Sequence, residues 1–87
     1  MVRVNRRRLL EKALASPNNL RFDEAVALAE ALGFRLARTS GSHHIFVHQE
    51  VPELLNLQTV HGKAKPYQVS QLLRLVERYN LQLGDEE

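Results

Sequence analysis

The chain has 87 residues, 25% of them charged and 44% hydrophobic, which predicts one ordinary globular domain and argues against a disordered or fibrous protein. It contains no cysteine, so a disulfide framework, a thiolate zinc site and a cysteine nucleophile are excluded. The net charge is +2, but residues 1–38 carry eight basic and four acidic side chains, whereas residues 39–87 carry four and six. A basic first half permits a polyanionic partner.

The sequence has neither the pattern of a membrane span nor that of a secretion signal. The longest apolar run covers residues 25–29, far below the roughly 18 residues that a spanning helix needs. Near the N-terminus, the basic residues 3–8 are followed by only two leucines before the charged pair Glu11 and Lys12. This interrupts any signal-peptide apolar region, so we expect a cytoplasmic protein without a membrane segment.

The first two predicted elements are helices. Residues 6–15 repeat apolar positions at helical spacing, with Asn5 suited to the N-cap. A turn sequence at residues 16–19 ends this helix, and a second helix is predicted from residue 22 to 32, with Gly33 as its C-terminal stop. The apolar side of the first helix is expected to contain Leu9, Leu10, Ala13 and Leu14.

Three strands and a last helix follow. Residues 34–38 and 43–48 are rich in strand formers and predict an antiparallel hairpin around the turn at 39–42. A second turn is expected at residues 50–53 and a third strand at 54–60. Pro66 suits the first position of the last helix, which Asn80 can end. The order α-α-β-β-β-α resembles a double-stranded-RNA-binding-domain-like α+β sandwich with an added N-terminal helix.

Alternation along residues 43–48 divides this strand into two faces. His43, Ile45 and Val47 fall on one face, and the intervening residues fall on the other. We expect the first set to face the core, with a bulge beside the glycine-containing turn releasing His43 from it. The strand phenylalanines Phe34 and Phe46 can either stack on bases or lie in the core, and we favour the core because strand phenylalanines are more often core residues.

The strongest chemical signal is the sequence GSHHIF at residues 41–46, followed by a loop that carries two lysines. With Gly33, Phe34 and Arg38 before it, this pattern resembles the HicA family of toxin ribonucleases, whose signature is a Gly-Ser-His at the start of the second strand. The resemblance covers about residues 20–81. It implies an mRNA endonuclease that a HicB-type antitoxin neutralises, in a single domain over residues 1–87. Residues 1–18 would be a helical extension, residues 20–81 the core and residues 82–87 an acidic tail.

By this resemblance His43 is the catalytic histidine, with His44 as the second candidate. Imidazole suits RNA cleavage because its unperturbed pKa lies near neutrality, where it can accept the proton of a 2′-hydroxyl. A glycine lets the RNA backbone approach, a hydroxyl binds phosphate oxygen, and cations stabilise the growing negative charge. The acid that protonates the leaving 5′-oxygen remains open among three histidines, His44, His48 and His61. The expected RNA-binding residues are Gly41, Ser42, His44, Lys63, Lys65 and Arg38.

Other readings of these residues are weaker. A histidine metal site is disfavoured because His43 and His44 point to opposite faces, and His44 and His48 lie about 13 Å apart along a strand. Ser42 has no nearby carboxylate to complete a hydrolase triad. We therefore expect no metal and no small-molecule cofactor. The remaining alternatives are a non-catalytic RNA-binding module and a subunit that only binds a partner protein.

Two features depart from the family pattern or lie outside it. Val60 stands before His61, where a proline is common, and residues 67–68 lack the glycine common near the start of the last helix. The lysine-bearing loop is therefore expected to differ in shape. The arginines at 6–8 lie outside the minimal family domain. They can face RNA, contact a partner or solubilise the surface, and we favour the last two roles.

Overall fold

The computed structural model describes residues 5–84, arranged as three helices and one sheet. The strands form a single antiparallel sheet in the order β1-β2-β3-β4. The predicted α+β fold with its α-β-β-β-α order is confirmed, with a short fourth strand added. Residues 85–87 of the predicted acidic tail lie outside the described part of the chain. The elements are α1 (Arg6–Ala15), a 3₁₀ turn (Pro17–Asn19), α2 (Phe22–Ala31), β1 (Arg35–Ser40), β2 (His43–His48), β3 (Val51–Val60), β4 (Lys63–Ala64) and α3 (Pro66–Tyr79).

Helix ends follow the local signals in the sequence. The Asn5 side chain accepts a hydrogen bond from the backbone N–H of Arg8 at 3.0 Å, which confirms the predicted N-cap of α1. Gly33 follows α2 with φ +100°, and Asn80 ends α3 in the left-handed region with φ 52°. Of the four residues on the predicted apolar side of α1, Ala13 is fully buried and Leu14 is 62% exposed. No helix within residues 5–84 is long and apolar enough to span a bilayer.

The core lies between α2, α3 and one face of the sheet, which we call the helix face. Phe46 in β2 and its β3 partner Leu55 belong to this face and are 1% and 0% exposed. The opposite face, which we call the open face, is not covered by any helix of residues 5–84 and contains His43, Ile45 and Val47. The expectation that Ile45 and Val47 face the core is therefore wrong. Phe34 and Phe46 are buried as predicted.

The lysine-bearing loop is a tight hairpin. Strand β3 begins at Val51, so the predicted turn at residues 50–53 is wrong, and the turn lies at residues 49–50. At its other end, β3 turns back through His61 and Gly62, whose φ values of 53° and 81° fit a type I′ turn. Strand β4 then pairs with β3, and the backbone N–H of Ala64 donates to Leu20 at 3.1 Å. These bonds fix the start of β4 in the sheet.

The N-terminal part of β3 is linked to α3 through hydrogen bonds to Glu53. Tyr79 donates its hydroxyl proton to Oε1 of Glu53 at 2.7 Å, and Arg78 Nη1 donates to Oε2 at 2.9 Å. The hydrogen bond from Tyr79 is the main cause that holds the pKa of Glu53 below its ordinary value. The same bond raises the pKa of Tyr79.

Helix α1 is joined to α2 by an ion pair. Lys12 Nζ lies 2.9 and 3.0 Å from the two carboxylate oxygens of Glu24. This contact with Lys12 is the main cause that lowers the pKa of Glu24. Ala13 of α1 is fully buried in the common core. The N-terminal helix is therefore part of the packed domain.

Candidate active site

His43 begins β2 on the open face, directly after a tight turn. Ser40 and His43 pair across a turn whose two central residues are Gly41 and Ser42. A positive φ of 60° at the first central position, Gly41, fits a type II′ turn, in which glycine is favoured there. His43 is exposed and follows the normal alternation of the strand. The bulge predicted at His43 is absent, since the register shifts in this sheet lie between Leu36 and Arg38 and between Phe46 and His48.

The side chain of Asn56 contacts the His43 ring. Asn56 lies in β3 opposite Ile45, so it shares the open face with His43. Its amide nitrogen is 3.0 Å from Nδ1 of His43. Its Oδ1 is buried and has no hydrogen-bond partner among residues 5–84. Sequence reasoning missed Asn56; the signal that could have found it is strand alternation, which separates Asn56 from the buried Leu55 and Leu57.

A β-bulge decides the position of Arg38. Leu36 pairs with Phe46, but Arg38 pairs with Ile45, so Ala37 is the extra residue. Without the bulge, Arg38 would lie opposite His44 on the helix face. The bulge instead places the exposed Arg38 side chain on the open face. Arg38 lies two residues before Ser40, which pairs with His43.

The backbone beside the site is held by a buried glutamine on α3. Gln68 is 1% exposed, and its Oε1 accepts a hydrogen bond from the backbone N–H of Gln58 at 2.7 Å. Its Nε2 donates to Oε1 of Gln58 at 3.2 Å. Gln58 is the residue of β3 that pairs with His43. Gln68 therefore supplies a hydrogen-bond acceptor for a backbone N–H on the edge of β3, at a position that β4 does not pair with.

The two lysines of the predicted site lie in different surroundings. Lys63 pairs with Val60 in β4, is exposed, and makes no ion pair with a carboxylate of residues 5–84. From the strand spacing, its Cα lies about 12 Å from that of His43 on the open face. Lys65 precedes α3, is half-buried, and its Nζ lies 5.9 Å from the ring centroid of Tyr67. Lys63 thus lies on the same face of the sheet as His43.

The other three histidines have separate positions. His44 is half-buried on the helix face, where its ring lies 4.8 Å from that of Phe22 and its Nδ1 lies 3.1 Å from the Ser42 carbonyl oxygen. His48 accepts a hydrogen bond at Nδ1 from the Glu50 backbone and donates from Nε2 to Leu32, both at 3.0 Å. His61 is exposed in the turn between β3 and β4.

The structure therefore brings together part of the predicted site. His43 and His44 lie on opposite faces, as alternation predicted. Within the described part of the chain, no three metal-ligating side chains come together. The group at this end of the open face comprises Arg38, Gly41, Ser42, His43, Asn56 and Lys63. His44 lies outside this group, on the helix face, and Lys65 lies between β4 and α3.

Comparison with known proteins gives one match. Residues 22–77 match the family of the HicA toxin of bacterial toxin-antitoxin systems. The match covers more than half of the chain and includes the hairpin with residues 41–44, the hairpin with Lys63, and most of α3. No curated protein and no solved structure gives a match.

Proposed function

Because this chain belongs to the HicA toxin family, and is thus a toxin of a bacterial toxin-antitoxin system, we propose that it is an endoribonuclease that cleaves mRNA with His43 as general base. The observation that carries this proposal is the position of His43: exposed on the open face, directly after the Gly41-Ser42 turn, within the matched residues. An mRNA substrate would place the protein in the cytoplasm.

The proposed reaction uses the 2′-hydroxyl of RNA as the nucleophile. Nε2 of His43 accepts the 2′-hydroxyl proton, the 2′-oxygen forms a bond to the adjacent phosphorus, and the bond to the 5′-oxygen breaks. The products are a 2′,3′-cyclic phosphate and a 5′-hydroxyl once the leaving oxygen receives a proton. DNA lacks this nucleophile, and the imidazole performs the proton transfer, so we expect cleavage to be specific for RNA and to persist in EDTA.

The surrounding groups suit a phosphate backbone. Gly41 presents no side chain, and the Ser42 hydroxyl and the turn amides are available to phosphate oxygens. Arg38 and Lys63 add positive charge to the same face as His43. Among the candidate acids, His61 is the exposed one at this end of the sheet. His48 has both ring nitrogens engaged on the helix face.

A toxin of this family has an antitoxin, and we propose a HicB-type protein that covers the open face around His43. The face combines basic residues with exposed apolar ones, including Leu54 at 53% and Val60 at 40% exposure. Complementary acidic groups on the partner would speed association and exclude RNA together. An interface of ordinary size buries roughly 1,200–2,000 Å² in total.

We also propose that residues 1–87 form one domain in which α1 is an extension of the family core. Helix α1 lies before the matched residues 22–77 but packs on α2 through the Lys12–Glu24 ion pair. Its exposed arginines Arg7 and Arg8 face solvent, where they suit a partner contact or solubility.

The proposal is tested by replacing His43→Ala and measuring cleavage of a labelled RNA. We expect a loss of about 10²–10⁴-fold in rate, the usual effect of removing a general base, with an unchanged circular dichroism spectrum. Gln49→Ala is the matched control, because Gln49 is an exposed residue in the turn at the other end of β2 and should retain full activity. An all-deoxy version of the substrate should not be cleaved.

Three results would contradict this assignment. Full activity in folded His43→Ala, cleavage of the all-deoxy substrate, or loss of activity in EDTA would each exclude the imidazole mechanism. Binding of RNA by the wild type without any cleavage would favour the non-catalytic alternative.

A further inference from the structure

The contact between Asn56 and His43 has two possible arrangements of hydrogen-bond donors. The amide nitrogen of Asn56 lies 3.0 Å from Nδ1 of His43, while its Oδ1 is buried without a partner among residues 5–84. A buried carbonyl oxygen that has lost water and gained no donor is unfavourable. The two ends of an amide have nearly the same shape, so rotation by 180° exchanges them without moving the backbone.

The two orientations give His43 opposite chemistry. If the amide NH₂ faces the ring, Nδ1 must accept, and the proton of neutral His43 then lies on Nε2, the nitrogen turned away from Asn56. That nitrogen is a donor and cannot receive a proton. If Oδ1 faces the ring, Nδ1 carries the proton and donates it, and Nε2 keeps its lone pair for a substrate.

We propose that Asn56 is a positioning residue for His43, whose Oδ1 accepts a hydrogen bond from Nδ1–H and keeps Nε2 free as the base. This inference rests on the proposed function in assigning His43 the role of base. In this orientation the oxygen gains a donor and the amide NH₂ takes the buried position, so the choice between the two orientations rests on the free Nε2 that a base requires. This orientation also suits both stages of the reaction, because Nδ1 carries a proton in neutral imidazole of this tautomer and in the imidazolium formed after proton transfer. No rotation of the amide is needed between them.

The supporting strand is held firmly enough for this role. Oε1 of Gln68, on α3, accepts a hydrogen bond from the backbone N–H of Gln58 at 2.7 Å. Gln58 lies only two residues from Asn56 in the same strand. Asn56 itself pairs with Ile45 in the centre of the β2–β3 ladder. A positioning residue requires such a rigid backbone, since small displacements of the hydrogen-bond partner lower the rate.

The first test measures the tautomer of His43 in the free protein by ¹⁵N NMR, at a pH where the ring is neutral. We expect the proton on Nδ1 in the wild type and a mixture of tautomers in Asn56→Ala. Leu54→Ala is the matched control, because Leu54 lies on the same face of β3, two residues away, and is exposed. It should leave the tautomer unchanged. A wild-type proton on Nε2 would overturn the proposal.

A second test compares two replacements of Asn56 in RNA cleavage. A carboxylate can only accept, so Asn56→Asp should retain the Nδ1–H tautomer and most of the rate. Asn56→Ala should lower kcat about tenfold with little change in KM, as expected for one lost hydrogen bond. If Asn56→Asp instead loses as much activity as Asn56→Ala while remaining folded, Asn56 acts as a donor and the proposal is wrong.

The two tests separate this inference from the proposed function. The NMR measurement needs no RNA, so an Nδ1–H tautomer that depends on Asn56 supports the positioning contact even if the wild type cleaves no RNA. That outcome would reject the proposed function alone. Cleavage that depends on His43 but is unaffected in both Asn56 variants would reject the inference alone.

Discussion

The two faces of β2 use the same residue type in different ways. On the helix face, His48 has both ring nitrogens in hydrogen bonds to backbone groups, and its ring lies 5.0 Å from that of Phe34. On the open face, His43 is exposed, and its Nδ1 lies 3.0 Å from the side-chain amide nitrogen of Asn56. The difference follows from strand alternation, which sends residues separated by an odd number of positions to opposite faces. The chemistry available to a histidine here depends on its face more than on its neighbours in sequence.

The largest expected contrast between the faces is in stability. His48→Ala removes the partner of the Leu32 carbonyl, which lies in the buried region after α2, and should cost about 1–3 kcal/mol in the free energy of unfolding. His43→Ala removes an exposed side chain and should change stability by less than about 0.5 kcal/mol. Urea denaturation of both variants measures this difference.

Activity should show the reverse contrast. Under conditions where it is folded, His48→Ala should still cleave RNA, whereas folded His43→Ala should not. Gly33→Ala offers an independent disturbance of His48, because an added Cβ would lie 2.7 Å from Nε2 of His48 and would stand at φ +100°. Equal losses of stability in His43→Ala and His48→Ala would show that the two faces do not differ in this way.

A smaller contrast is expected between Lys63 and Lys65 in the binding of RNA and of the antitoxin. Lys63→Ala should weaken RNA binding and lower the slope of log K against log salt by about 0.7, the value for one contact to a single strand. Lys65→Ala is the matched control and should have a smaller effect, since Lys65 is half-buried with its Nζ 5.9 Å from the ring centroid of Tyr67, whereas Lys63 is exposed. Stopped-flow association of the antitoxin at several ionic strengths should show the same order. Equal effects of the two lysines would place the binding surface elsewhere.

The smallest expected effect concerns the attachment of α3 to β3. Because the hydrogen bond from Tyr79 lowers the pKa of Glu53, the link stabilises the fold at neutral pH, and this stability is lost as the pH falls through the lowered pKa. The raised pKa of Tyr79 preserves the bond until alkaline pH ionises the phenol. Tyr79→Phe should therefore lower Tm at pH 7 and have a smaller effect at pH 3, where a larger fraction of Glu53 is protonated. A Tm difference that is equal at both pH values would contradict this account.

Several elements could be predicted because their signals are local. The N-cap at Asn5, the left-handed residue Gly33, Pro66 at the start of α3 and the bounds of β2 each depend on a few adjacent residues. The family resemblance was also predictable, because it rests on a short motif that the matched residues contain. Strand β4 was missed, since two residues carry no periodicity and this strand is held partly by backbone bonds to the segment before α2.

The sequence by itself determined that Gly41 makes a turn and that His43 and His44 lie on opposite faces, because both results follow from local backbone geometry. Only the tertiary structure decided which face the helices cover, since Ile45 and Val47 are as apolar as core residues and yet lie on the open face. It also decided the place of Arg38, through a bulge that a single strand does not reveal. The contact of Asn56 with His43 required the register of two strands, and a register is a property of the pair.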